Sequence, residues 1–171
     1  MGISDMRFLD AFKEVVGLEG GYCDIPADRG GATKYGISQA TYPDLNIAAL
    51  TLEQAKAIYY TDFWAALSLD KIESAYIAGE IFECAVNCGK GAAVRIAQRS
   101  LAFLGETIKQ AGVMGPSTIE KLNKWGKKDP ISLFKALNGY QFARYALIVE
   151  QHPDQLAFAR GWLKRIQAYR S

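Results

Sequence analysis

Residues 19–38 read EGGYCDIPADRGGATKYGIS, a stretch rich in glycine and polar residues that lies between segments of helical pattern. Such composition is typical of a loop or of a short irregular hairpin or sheet. Loops of this length are uncommon inside compact domains and usually carry function. The stretch is therefore the one long non-helical part of the predicted fold and the first place to look for a site.

Helical patterns surround this stretch on both sides. In segment 4–18 apolar residues recur at helical spacing, with Ser4 or Asp5 available as N-cap and Gly20-Gly21 as a stop. Capping signals and apolar periodicity predict further helices from Thr51, over about 74–87, over about 92–104, after Ser117 or Thr118, from Asp129-Pro130 and after Pro153. The fold class is therefore mainly α, with a Gly-rich loop or a small irregular β-hairpin after the first helix.

The composition excludes several classes of protein. The chain has 171 residues, 50% of them hydrophobic and 22% charged, with a formal net charge of +2, which fits a folded globular protein. Lysine and arginine are spread along the chain except for the run Lys124, Lys127 and Lys128, so we expect no nucleic-acid partner. No apolar run reaches the roughly 18 residues of a membrane span, and we expect no membrane insertion.

Cysteine and histidine usage gives no sign of a metal or a disulfide framework. The three cysteines are Cys23, Cys84 and Cys88, an odd number, and the single histidine, His152, lies far from them in sequence. No zinc-ligand set is apparent, so we expect no metal and no cofactor. Cys84 and Cys88, four residues apart in a helical pattern, are interpreted as small buried hydrophobic residues.

Three polar residues of the Gly-rich stretch fit the cleavage of a glycosidic bond. That reaction needs an acid to protonate the leaving oxygen and a carboxylate to activate water or to stabilise the transition state. Glu19 adjoins an apolar helix face that favours its protonated form, whereas Asp28 lies in a polar loop and Thr33 offers a hydroxyl. Glutamate, aspartate and threonine are also common at helix ends, turns and hairpins, so spacing alone leaves a purely structural role open.

The same stretch resembles a known family. Glu19-Gly20-Gly21-Tyr22 and the string from Asp28 to Ser38 are similar to the signature of glycoside hydrolase family 108, phage and prophage endolysins that are N-acetylmuramidases. The order Glu, Asp, Thr also resembles phage-type lysozymes, with a gap from Asp28 to Thr33 that is one residue shorter. The resemblance implies a lysozyme-like helical domain in which Glu19 is the general acid, with Asp28 and Thr33 as the other catalytic residues.

The resemblance continues downstream and suggests a domain organisation. Segments 60–64 and 85–89 match the family's Phe-Trp pair and its Val-Asn-x-Gly step, and segments 112–118 and 158–163 are similar to a predicted peptidoglycan-binding module. This implies a catalytic muramidase region over 1–90 and a helical peptidoglycan-binding region over 91–171, packed as one compact unit with the first. Bacterial peptidoglycan is the implied partner.

Five residues are candidates for substrate binding. Tyr22 and Tyr35 offer aromatic faces to sugar rings, with packing inside the loop or core as the alternative for both. Gly31 allows a bulky sugar chain to approach the backbone closely. Asn87 offers a polar rim for hydroxyl groups, or serves as a C-cap before Gly89.

Glu83 is the fifth of these candidates, and it stands in an otherwise apolar helix. A carboxylate that faces a helical core needs a partner, for which Arg95, Arg99 and Arg144 are available, or else it borders the cleft. Trp64, which follows Phe63 on an amphipathic helix, is assigned to the core instead.

The leading functional hypothesis is a peptidoglycan hydrolase that cleaves the bond between N-acetylmuramic acid and N-acetylglucosamine, with Glu19 as the general acid. The alternatives are a lytic transglycosylase that uses Glu19 alone and a non-catalytic cell-wall-binding or secretion-accessory protein. Because the N-terminus lacks the apolar core of a signal peptide, we expect synthesis in the cytoplasm and action on the cell wall or periplasm after release. We also expect a holin or another export helper as a partner. The expected oligomeric state is a monomer.

Overall fold

The computed structural model describes residues 5–17 and 31–167, and these residues are mainly helical with one small antiparallel hairpin. The predicted fold class is therefore confirmed. The chain divides into two compact units, Met1–Ala66 and Leu67–Ser171. The boundary expected after residue 90 falls within the second unit, and the predicted domain organisation, including the packing of its two regions as one unit, stays a prediction.

The first unit begins with helix α1, Met6–Val16. Asp5 caps it, because the Asp5 carboxylate accepts hydrogen bonds from the backbone N–H groups of Arg7 at 3.0 Å and Phe8 at 3.4 Å. The helix ends where Gly17 takes a φ of 70°, a conformation that glycine adopts without steric cost. The stop expected at Gly20-Gly21 is therefore wrong, since an earlier glycine already ends the helix.

Helix α2, Leu52–Tyr59, begins at the predicted position with a capping box of Thr51 and Gln54, and it runs into a π-helical segment, Tyr60–Ala65. This segment carries Trp64, whose side chain is fully buried and whose indole N–H donates to Asp5 at 3.1 Å. Its ring packs edge-on against Phe8 with 5.6 Å between centroids. The assignment of Trp64 to the core is confirmed.

The second unit contains five α-helices among its described residues: α3 Ala75–Cys88, α4 Lys90–Phe103, α5 Pro116–Lys128, α6 Pro130–Gln151 and α7 Leu156–Leu163. Asp129 caps α6 as predicted and accepts from the Ser132 N–H at 3.0 Å. The cap expected at Ser117 or Thr118 is wrong. Helix α5 starts earlier, with Gly115 at the N-cap and a proline at the first helical position.

A buried glutamine fixes the turn between α4 and α5. Gln98 donates to the Val113 carbonyl at 3.0 Å and to the Thr118 hydroxyl at 3.2 Å, and accepts from the Gly112 N–H at 2.9 Å. Gly112 has a φ of 74°, and a Cβ there would lie 3.0 Å from the Gly91 carbonyl oxygen. The turn is therefore held by polar contacts that an apolar residue at position 98 would leave unpaired.

Candidate functional site

The end of the Gly-rich stretch forms a tight hairpin in the first unit. Strand β1, Thr33–Lys34, pairs antiparallel with strand β2, Ile37–Ser38, in the register Thr33 to Ser38 and Lys34 to Ile37. The two connecting residues, Tyr35 and Gly36, have φ values of 53° and 76°. Positive φ at both central positions defines a type I′ turn, whose twist matches that of the paired strands.

A hydrogen bond attaches this turn to helix α2. The Tyr59 hydroxyl donates to the Tyr35 carbonyl oxygen at 3.1 Å, and the Tyr59 side chain is buried. A Cβ at Gly36 would lie 2.6 Å from the same hydroxyl oxygen, so only glycine fits there without a shift. The contact with Tyr59 thereby fixes the position of the turn that follows Thr33.

Thr33 and Gly31, two of the predicted site residues, lie next to each other in space. The Thr33 hydroxyl donates to the Gly31 carbonyl at 3.2 Å and is half-buried. Because the hydroxyl hydrogen points to the carbonyl oxygen, the lone pairs of the hydroxyl oxygen remain available to accept a hydrogen bond from a water molecule. Gly31 itself has a φ of 65°, and a Cβ there would meet the Gln39 side chain at 3.6 Å.

Tyr35 is half-buried in the turn, and the Lys34 ammonium lies 5.6 Å from the centroid of its ring. Glu19, Tyr22 and Asp28 lie outside the described residues. The structure thus brings together Gly31, Thr33 and Tyr35 of the predicted site, and the roles of all predicted site residues stay predictions.

A second group of polar residues lies in the second unit, where three of its members are buried and three are half-buried. We call it the polar cluster, and its members come from α3, α6 and the segment after α7: Glu83, Asn87, Cys88, Gln141, Tyr145 and Arg165.

The polar cluster centres on the buried carboxylate of Glu83, which is 7% exposed. Its Oε1 accepts from the Arg165 guanidinium at 2.6 Å, and its Oε2 accepts from the Gln141 amide at 3.0 Å. A buried carboxylate needs such partners, because an unpaired charge in a core is strongly destabilising. The sequence predicts that Glu83 needs a partner, but the structure pairs it with Arg165 in place of Arg95, Arg99 or Arg144.

The other half of the polar cluster surrounds the Tyr145 hydroxyl. Its oxygen accepts from the Gln141 amide at 2.8 Å and from the Asn87 amide, while the Cys88 sulfur lies 3.9 Å away. In this contact the Cys88 thiol donates to the Tyr145 oxygen, so three side chains converge on one hydroxyl group. Asn87 therefore has a partner in α6, and α3 ends instead at Gly89, which has a φ of 85°.

The two cysteines of α3 differ in chemistry. A hydrogen bond from Cys84 lowers the pKa of the Cys88 thiol to about 6 against the opposing effect of burial, and the Tyr145 hydroxyl and the Arg144 charge add to the lowering. The same contact, together with burial, raises the pKa of Cys84. The interpretation as buried hydrophobic residues fits Cys84, but it is wrong for Cys88, which is only half-buried.

Sequence reasoning missed three members of the polar cluster. Gln141 and Tyr145 are four residues apart, the spacing of one helix face, and that signal was available. Arg165 gives no local signal, because its partner Glu83 is 82 residues away in the chain. Long-range ion pairs of this kind are decided by tertiary packing.

Within residues 5–17 and 31–167, no group of three or more histidine, cysteine, aspartate or glutamate side chains is placed to hold a metal ion. No helix in the described part of the chain has both the length and the apolar character that a membrane crossing requires.

Comparison with known proteins identifies the class to which the site belongs. Residues 12–89 match the family model of glycosyl hydrolase 108, and residues 92–167 match that of a predicted peptidoglycan domain. The segment 12–89 is therefore a glycosyl hydrolase 108 domain, and the segment 92–167 that follows it is a predicted peptidoglycan domain. The chain is therefore a glycoside hydrolase that acts on peptidoglycan.

The fold is also that of a solved protein. The chain is similar to the structure of Brucella abortus SagA, with a TM-score of 0.76 and 26% sequence identity over 93% of this chain and 88% of that chain. No curated protein matches the chain in sequence.

Proposed function

We propose that the protein is an N-acetylmuramidase that hydrolyses the bond between N-acetylmuramic acid and N-acetylglucosamine in peptidoglycan. The observation that carries this proposal is the match of residues 12–89 to glycosyl hydrolase 108, a range that includes Glu19, Asp28 and Thr33. These are the residue types that hydrolysis of a glycosidic bond requires.

In the proposed reaction Glu19 is the general acid. Its proton passes to the bridging oxygen as the bond from that oxygen to the anomeric carbon of N-acetylmuramic acid breaks. A water molecule then adds to the anomeric carbon and gives up a proton to a carboxylate, for which Asp28 is the candidate. The products are a reducing N-acetylmuramic acid end and a free hydroxyl on N-acetylglucosamine.

The hairpin supports the part assigned to Thr33. Its hydroxyl oxygen, held by the Gly31 carbonyl, is free to accept a hydrogen bond from the attacking water. The type I′ turn and Tyr59 fix the backbone on which this hydroxyl is mounted. A fixed acceptor lowers the entropic cost of placing the water, which is the usual contribution of a positioning group.

The proposed substrate-binding residues receive unequal support. Tyr35 lies in the turn that follows Thr33 and is half-buried, so part of its side chain remains open to a sugar ring. Tyr22 is included because it belongs to the same Gly-rich stretch. Asn87 and both oxygens of Glu83 are engaged within the polar cluster, so their proposed contacts with substrate would require exchange of these hydrogen bonds.

The site of action follows from the substrate. We propose a monomeric endolysin of phage or prophage origin that is made in the cytoplasm and reaches the wall or periplasm through a holin or another export helper. The support for this is the location of peptidoglycan outside the cytoplasmic membrane.

The test compares Glu19→Gln with Glu14→Gln in a lytic assay on purified peptidoglycan. Glu14 is an exposed residue of α1 and provides a matched loss of one carboxylate. Glu19→Gln should lose about 10² to 10⁴ in rate, the usual contribution of general acid catalysis, whereas Glu14→Gln should keep full activity. Retention of more than about a tenth of the rate by folded Glu19→Gln would overturn the assignment of the acid.

A further inference from the structure

A groove of about 470 Å³ runs along the outside of the second unit, between the end of α4 and one face of α6. Its volume lies in the range of about 300–1,000 Å³ that is typical of ligand pockets. We call it the α4–α6 groove. It is formed wholly within the segment that matches the predicted peptidoglycan domain, and no residue in that segment has been assigned to a ligand.

Small residues form the floor of the α4–α6 groove. Ala136, Gly139 and Ala143 follow one another at helical spacing along α6. A Cβ added to Gly139 would meet nothing within 4 Å, so the surface above it is open. A glycine in the middle of a 22-residue helix costs stability relative to alanine, about 1 kcal/mol. The fold gains no packing in return, which is consistent with a ligand approaching the backbone there.

Two aromatic rings form the wall of the groove. Phe103 is 73% exposed, and it meets Tyr140 with ring centroids 6.3 Å apart and planes inclined at 80°. The Arg99 guanidinium lies 4.6 Å from the centroid of the Tyr140 ring and holds it in place. A large exposed aromatic side chain beside a second, oriented ring is a platform of the kind on which the apolar face of a pyranose packs.

The charge of the groove is positive. Lys135 lines it and is exposed, Arg99 adjoins it, and among the described residues that line it there is no carboxylate. This positive charge would not strengthen the binding of a neutral glycan. Peptidoglycan differs from them because each muramic acid carries a short peptide with free carboxylates, which Lys135 and Arg99 would attract.

We propose that the α4–α6 groove binds a muropeptide unit of intact peptidoglycan, with a sugar ring on Phe103 and Tyr140 and a stem-peptide carboxylate at Lys135. None of the residues that line this groove belongs to the Gly-rich stretch that carries Glu19. The proposal rests on the proposed function, because a peptidoglycan substrate defines the ligand. The groove holds the enzyme on the wall while another part of the chain cleaves.

The experiment measures retention of the full chain on insoluble peptidoglycan by co-sedimentation, in a Glu19→Gln background so that the wall stays intact. Phe103→Ala should bind about tenfold more weakly, the effect of losing one aromatic contact. The matched control is Phe142→Ala, which removes an exposed phenylalanine of helix α6 that does not line the groove, and its retention should be unchanged.

Two further variants keep the test independent of folding. Gly139→Gln fills the groove while favouring the helix, and it should also reduce retention about tenfold. Lys135→Glu should weaken binding to peptidoglycan but not to chitin, a glycan without peptide carboxylates. Lys109→Glu makes the same change of charge at an exposed position away from the groove, and its retention should be unchanged.

Three results would each overturn the proposal. They are equal retention of Phe103→Ala and Phe142→Ala, equal binding of the parent chain to chitin and peptidoglycan, and a dimer that dissociates on Phe103→Ala. The last result would make the groove an interface between copies of the chain. Release of sugar by the Glu19→Gln background would instead show that Glu19 is not the acid. That outcome leaves the comparison between groove and control variants intact, so the two failures are distinguishable.

Discussion

Gly36→Ala tests whether the contact with Tyr59 fixes the position of the hairpin turn. Alanine must take the φ of 76° that glycine takes, at a cost of about 1–2 kcal/mol for a left-handed conformation. Its Cβ would also lie 2.6 Å from the Tyr59 hydroxyl oxygen, so this hydroxyl must move and lose its hydrogen bond to the Tyr35 carbonyl. That bond contributes about 1 kcal/mol. The expected loss in the free energy of unfolding is therefore about 2–3 kcal/mol.

A double-mutant cycle separates these two contributions. Tyr59→Phe alone should cost about 1 kcal/mol, because it removes the same hydrogen bond. In the Gly36→Ala background it should cost almost nothing, since the bond is already lost and the nearest remaining Tyr59 atom would be 3.9 Å from the new Cβ. Gly105→Ala is the control for backbone strain alone, because Gly105 has a φ of 95° and open space around its Cβ position.

Urea unfolding of the four members of the cycle and of the control gives the free energies directly. Equal effects of Tyr59→Phe in the two backgrounds would refute the role given to this hydroxyl. A loss on Gly36→Ala no greater than on Gly105→Ala would refute the steric argument as well.

Two further predictions concern the polar cluster. Arg165→Met should lower the free energy of unfolding by about 2 kcal/mol, which is less than the usual cost of breaking a buried pair because Arg165 is partly exposed. Adding Glu83→Gln should restore part of this loss, because the unpaired carboxylate is then removed. Urea unfolding measures both effects, and no gain in stability from Glu83→Gln would contradict the pairing. The rate at which iodoacetamide alkylates Cys88 should rise with pH with a midpoint near pH 6, the pKa of this thiol. Cys84→Ala should raise this midpoint, because it removes the thiol that donates a hydrogen bond to Cys88. A midpoint near the ordinary thiol pKa of 9.0 in the parent chain would contradict the prediction.

Much of the helical fold was predictable because its signals are local. The capping box at Thr51 and the sequence Asp129-Pro130 each place a helix start where the structure has it. The errors arose where neighbouring residues compete for one role. Gly17 ends α1 ahead of the later glycines, and Gly115-Pro116 starts α5 ahead of two residues that are also good caps.

The candidate site was less predictable because its geometry depends on distant contacts. The order of Glu19, Asp28 and Thr33 is visible in the sequence, but the attachment of the turn to Tyr59 crosses 24 residues. The partner of Glu83 is more distant still, and no periodicity points to Arg165. A local pattern indicates which residue types are present, whereas packing decides which of them meet.

If Glu19 serves hydrolysis, water becomes part of the product. The most direct measurement is mass spectrometry of peptidoglycan digested in water labelled with ¹⁸O, with Glu19→Gln in parallel. We expect muropeptides with a reducing N-acetylmuramic acid end that carries one labelled oxygen, and no release by Glu19→Gln. Unlabelled anhydro-muramic products from the parent chain would show transglycosylation instead, and labelled products from Glu19→Gln would contradict the role of Glu19.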